Sequence, residues 1–109
     1  MDDRPPIEIE ADHWRIVRDI LRRRVPGRPV WAFGSRARRC AKPYSDLDLA
    51  IITDTPLRWG QVDELADDFS ESDLPWRVDV VDWASTSEAF REIIQRDKVV
   101  VMEGDDGPG

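Results

Sequence analysis

The chain has 109 residues, two-fifths of them hydrophobic, and carries 23 acidic against 16 basic residues for a formal net charge of −7. That length builds one core and little more, and the acidic balance argues against direct nucleic-acid binding, which depends on Lys and Arg neutralising phosphates. The one cysteine, Cys40, excludes an internal disulfide and leaves no zinc-ligand spacing; with no apolar run of membrane-spanning length and no secretory pattern at Met1–Pro6, a cytoplasmic protein without membrane contact is expected.

Residues 1–9 carry two prolines and no hydrophobic period, and are expected to form an irregular arm. From Ala11 to Val25 the apolar residues Trp14, Val17, Ile20, Leu21 and Val25 recur at helical spacing. Asp12 is the expected N-cap, Pro26-Gly27 the stop, and Arg22–Arg24 fill the last turn, where cations complement the helix dipole. Pro29–Phe33 reads as a short buried strand. Gly34-Ser35 breaks it, and Arg36–Ala41 reads as the start of a short helix. After the loop Lys42-Pro43-Tyr44, a strand is expected over Asp46–Thr53, closed by the turn residues Asp54-Thr55-Pro56.

Leu57–Phe69 reads as a helix with Val62, Leu65, Ala66 and Phe69 inward and the Asp63-Glu64 and Asp67-Asp68 pairs solvated. Trp76–Trp83 is the third strand. Ser85 or Ser87 caps a helix whose apolar positions are Ala89, Phe90, Ile93 and Ile94, and Lys98–Met102 is a last strand. The alternation of helices and strands predicts an α/β (α+β) architecture, helices packed on a small mixed sheet.

Three features carry chemistry. Gly34-Ser35 sits between a strand and a predicted helix, where glycine permits a sharp turn and close ligand approach, and the following amides attract anions. Four cations, Arg36, Arg38, Arg39 and Lys42, follow with no acid among them. Asp46 and Asp48, two apart at the start of an apolar strand, project from one face while Leu47 and Leu49 project from the other. Adjacent carboxylates repel and resist partial burial, a cost that a divalent cation removes. The third feature is an acid inside Val78-Asp79-Val80-Val81, where none is needed structurally. Asp79 is favoured and Asp82, nearer the strand end, competes with it. Together these describe a triphosphate held by amides and cations, beside carboxylates that hold metal for an in-line displacement.

Gly34-Ser35-Arg36-Ala37-Arg38, followed by Ser45-Asp46-Leu47-Asp48-Leu49-Ala50-Ile51 and then Val78-Asp79-Val80-Val81-Asp82, resembles the signature of minimal nucleotidyltransferases of the DNA polymerase β-like superfamily. The resemblance implies a single nucleotidyltransferase domain over residues 1–109, with 1–9 and 103–109 as irregular tails. It implies ATP as substrate, Mg²⁺ (two ions) as cofactor, and transfer of AMP with release of pyrophosphate. By position, Gly34 and Ser35 would hold the β- and γ-phosphates, with Arg36 as a further phosphate contact for which Arg38 or Arg39 could substitute. Asp46, Asp48 and Asp79 would bind the metals, Asp79 also helping to activate the acceptor hydroxyl. Family members often carry glycine where this chain has Arg39-Cys40, which should alter the loop and not the carboxylates.

Larger relatives hold base and acceptor with an extra C-terminal domain, and these 109 residues provide none. The resemblance therefore implies a partner that carries the acceptor: a HEPN-domain toxin, adenylylated on a tyrosine hydroxyl by its antitoxin in a hetero-oligomer. Two other readings compete. A non-catalytic antitoxin would neutralise by binding, its acidic surface matching a basic partner, and a small-molecule enzyme would take an aminoglycoside-like polycation. Cys40 reads as packing, His13 as surface, and the five tryptophans as core, with Trp59 and Trp83 placed near element ends where either could stack a base or anchor a partner.

Overall fold

The first helix forms where its spacing predicts. In the computed structural model, which describes residues 5–104, α1 spans Ala11–Arg24 and buries Trp14, Val17, Ile20 and Leu21. Burying each such side chain contributes about 1.5–3 kcal/mol. Its N-cap is Glu10, without a side-chain cap bond, and the expected cap Asp12 lies inside the first turn, where its charge meets the positive end of the helix dipole. The arm before α1 is irregular over residues 5–10, yet Ile7 is fully buried and the Glu8 amide donates to the Arg36 carbonyl at 3.0 Å. The remaining expected tail residues, 1–4 and 105–109, lie outside the described ones.

Four strands follow: β1 Val30–Phe33, β2 Leu47–Ile51, β3 Val78–Asp82 and β4 Val99–Met102. They form a mixed sheet in the order β3-β2-β1-β4, with β1 antiparallel to β2 and β4, and β2 parallel to β3. A parallel pair requires a crossover, and α2, Gln61–Ser70, provides it. This helix starts four residues later than its apolar pattern suggested, because Leu57–Gly60 form a loop whose Gly60 adopts φ 83°. Leu65 and Phe69 are buried. Of the acidic pairs expected in solvent, Asp68 instead accepts from Arg24 at 2.5 Å, tying α2 to the end of α1.

Arg36–Ala41 is not a helix. Arg38 and Cys40 donate to the carbonyls of Gly34 and Ser35, both at 3.0 Å, giving one tight turn that ends with Arg39 at φ 58°. Ala37, Cys40 and Ala41 do recur at helical spacing, but so short a segment cannot sustain a helix by itself, and Arg36 is committed to carbonyls outside it, those of Ser45, Glu8 and Pro43. A short 3-10 turn, Trp83–Ser85, follows β3, and Ser87 is the N-cap of α3, Glu88–Asp97, accepting from the Phe90 amide at 3.2 Å.

The two sheet faces differ. Val30, Ala32, Leu47, Leu49 and Ile51 pack with α1 and α2 in the larger core cluster. Phe33, Ala50 and Ile94, with Trp31, Val81, Trp83 and Phe90 around them, make a smaller cluster under α3. Side chains alternate along each strand, so Asp48, between Leu47 and Leu49, is on the α3 side.

Candidate functional site

The site lies where the smaller core cluster stops. Phe33 is the β1 partner of Asp48, and Asp79 is its β3 partner. In a parallel pair, register partners share a face, so Asp48 and Asp79 stand side by side beyond Phe33. Asp46 immediately precedes β2. Burial first, then the charges of Asp79 and Asp46, pushes the Asp48 carboxyl up to about 6. Desolvation and like charge both disfavour the ionised form. Arg77 reaches Asp79 at 3.4 Å, an exposed pair that does little to relieve the repulsion.

Gly34 comes against this cluster from the end of β1. Its φ is 78°, and a Cβ there would collide with Asp48 Oδ2. Only glycine combines that backbone angle with so close an approach. The chain therefore brings the turn at Gly34 directly onto the Asp48 carboxylate. The all-oxygen donor set and its unrelieved repulsion suit a hard divalent cation. Among the described residues, however, no three His, Cys, Asp or Glu side chains converge tightly enough to hold a metal ion as they stand. Asp46, Asp48 and Asp79 are neighbours coupled through Asp48.

Asp82, the competitor of Asp79, is engaged elsewhere. Three residues along a strand reverse the face, and its carboxylate accepts from Thr53 Oγ1 at 2.6 Å, from the Leu57 amide at 2.8 Å and from the Ala84 amide and Ser85 hydroxyl at 3.3 Å. Burial would raise its pKa, but these donors outweigh it and hold the carboxyl below its usual range. Asp82 is a structural tie between β3 and the loop after β2.

Arg36 is not placed as a phosphate contact. Its side chain is buried, with all three guanidinium nitrogens donating to backbone carbonyls: Nε to Ser45 at 2.9 Å, Nη1 to Glu8 at 2.9 Å and Nη2 to Pro43 at 3.1 Å. Its carbon Cζ lies 4.4 Å from the centre of the Trp76 ring. Those bonds commit the cation to the protein interior, and the exposed arginines of the segment are Arg38 and Arg39. Sequence reasoning missed Glu8 and Trp76 as partners of this arginine, and no local signal marks them.

Other candidates settle in the same way. His13 packs edge-on against Trp76, with ring centres 5.7 Å apart. Trp83 packs edge-on against Trp31 at 5.3 Å and under Arg91, whereas Trp59, expected in the core, is 94% exposed. Cys40 is exposed, not packed. Among the described residues no helix is long and apolar enough to cross a membrane.

Comparison with known proteins gives a family match and likenesses in fold. Residues 17–107 match the family described as "Polymerase beta, Nucleotidyltransferase". The chain is 56% identical over 97 residues to "Probable protein adenylyltransferase MntA" of Haemophilus influenzae, covering 89% of this chain and 85% of that protein. In fold it resembles a toxin–antitoxin crystal structure with AMP-PNP, at a TM-score of 0.71 and 24% identity over 84% of this chain and 74% of that one. It also resembles a complex of tri-AMPylated Shewanella oneidensis HEPN toxin with MNT antitoxin, at 0.66 and 22% over 87% and 73%.

Proposed function

This chain belongs to the polymerase β nucleotidyltransferase family, and from that premise we propose that it transfers AMP from ATP to a tyrosine hydroxyl of a HEPN-domain toxin, acting in the cytoplasm as the antitoxin of the pair. The observation that carries this reading is the cross-strand pair Asp48–Asp79 held against Gly34. The name of the Haemophilus relative supports protein as acceptor.

In this reading Gly34 and Ser35 seat the β- and γ-phosphates. The turn brings backbone close to them without a side chain in the way, and Arg38 and Arg39 add positive charge at its rim. Asp46, Asp48 and Asp79 would hold Mg²⁺, one or two ions, which when bound neutralises charge on the triphosphate and on the leaving pyrophosphate. Asp79, half-exposed on the edge strand β3, accepts the proton of the incoming hydroxyl. That hydroxyl oxygen forms the new bond to the α-phosphorus as the bond to pyrophosphate breaks. Such a transfer needs mainly positioning and charge neutralisation.

The test is transfer to a HEPN-domain partner protein. The two proteins, ATP and Mg²⁺ are incubated and the intact mass of the partner is measured. Whole AMP units appear with the native chain and are absent with Asp48→Asn. An equal gain with the variant, or none with the native chain, sinks the proposal.

A further inference from the structure

We propose that Arg36 is a positioning residue that fixes Asp46 in the site by clamping the Pro43–Ser45 loop to the N-terminal arm and to Trp76. The inference rests on the proposed transfer for its meaning, and on the geometry alone for its mechanism.

Asp46 precedes β2 and so lacks a place in the strand ladder. Two anchors hold it instead. On one side the Ser45 carbonyl, in the peptide that leads into Asp46, accepts from Arg36 Nε at 2.9 Å. On the other the Leu47 amide donates to the Arg77 carbonyl at 2.9 Å. The anchors are themselves joined, because Trp76, the neighbour of Arg77, lies under the Arg36 guanidinium. The circuit Arg36–Ser45–Asp46–Leu47–Arg77–Trp76 is closed, so the backbone at Asp46 cannot shift without breaking one of its contacts.

A second circuit braces the first. Arg36 Nη1 donates to the Glu8 carbonyl, the Glu8 amide donates to the Arg36 carbonyl at 3.0 Å, and Glu8 Oε1 accepts from the Ala41 amide at 2.8 Å. The arm is thereby stitched to the turn after Gly34. Lysine cannot replace this fork, because an ammonium is a point charge without a planar set of donors for three separate carbonyls. It would leave carbonyls unpaired in a buried place. A phosphate ligand and a clamp also differ in what their loss does. The first lowers nucleotide affinity, and the second loosens Asp46 whether or not nucleotide is present.

The experiment compares native chain with Arg36→Lys in three measurements. In metal-free protein, hydrogen exchange at the Ser45 and Leu47 amides, which donate to Lys42 and Arg77, should speed up by about tenfold or more while the β1 amides keep their native rates. Affinity for a non-hydrolysable ATP analogue in excess Mn²⁺ should stay within about threefold, and transfer at saturating ATP should fall by about tenfold or more. Loss of analogue affinity with both amides still protected would make Arg36 a phosphate ligand and overturn the clamp, as would native exchange rates with native transfer. Should Arg36→Lys not fold, Trp76→Leu removes the ring face under the guanidinium and should show the same exchange pattern; native exchange there also overturns the proposal. If the native chain transfers nothing to its partner, the function reading fails, while the exchange and analogue arms still decide the clamp.

Discussion

At the scale of single residues, the role proposed for Asp48 is set against stability. Its carboxyl is pushed up to about 6 by burial and by two like charges. A carboxyl whose folded pKa lies above its unfolded value binds its proton more tightly in the folded chain. The associated stability is complete below the unfolded value, about 3.9, and is lost as pH rises through about 6. After allowance for solvent screening the loss is roughly 1–2 kcal/mol. Metal-free protein should therefore be less stable at neutral pH than near pH 4 as far as this group is concerned, and Asp48→Asn should remove that part of the slope. Urea unfolding of native and variant chains across this range checks it: the variant gains about 1 kcal/mol at neutral pH while losing transfer. A variant less stable than the native chain at every pH would show that Asp48 is not strained. Gly34 belongs to the same compromise, since it alone lets the turn touch this carboxylate.

At the scale of elements, β3 separates two acids that look equivalent in Val78-Asp79-Val80-Val81-Asp82. Asp79 shares a face with Asp48, and Asp82, three residues on, accepts four hydrogen bonds that tie β3 to the loop after β2. The two substitutions should fail in opposite ways. Asp82→Asn turns amide hydrogens toward donors and costs about 1–3 kcal/mol of stability, with transfer per folded molecule kept. Asp79→Asn changes stability by no more than about 0.5 kcal/mol and removes transfer. Unfolding midpoints and single-turnover rates on both variants check the assignment; a stable, active Asp79→Asn would remove Asp79 from the proposed mechanism. The turn after β1 makes a related point. A strong basic run looked like a helix start, but one buried arginine bonded to three carbonyls holds it as a turn.

At the scale of the whole molecule, the unequal cover of the sheet creates the site. Helices α1 and α2 close one face, whereas α3 reaches Phe33 and Ala50 and leaves the Asp48–Asp79 end open. A ligand that binds this opening only in the folded chain must stabilise the fold by mass action, by about 2.7 kcal/mol at a hundredfold excess over its Kd. ATP with Mg²⁺ should therefore raise the unfolding midpoint of the native chain and leave that of Asp48→Asn unmoved. A native midpoint indifferent to both would count against nucleotide binding at this place.

The sequence by itself determined most of the elements, though not the turn at Arg36–Ala41 or the start of α2, and it marked the candidate chemistry-bearing residues. Trp14, Val17, Ile20 and Leu21 spell out α1, Gly34-Ser35 marks a break after a buried strand, and Asp46-Leu47-Asp48-Leu49 gives the alternation that separates carboxylates from core. These are local facts, set by side-chain periodicity and backbone preference within a few residues. The face of Asp82 was also legible in principle, since parity alone opposes it to Asp79. Only the tertiary structure decided that β2 and β3 pair in parallel with Asp48 opposite Asp79, that Asp82 is bound at its own end, that Arg36 points inward to Glu8 and Trp76, and that Trp59 stands in solvent. Strand register and burial depend on contacts between residues far apart in the chain. A local pattern shows which face is apolar, but what covers that face is decided by packing.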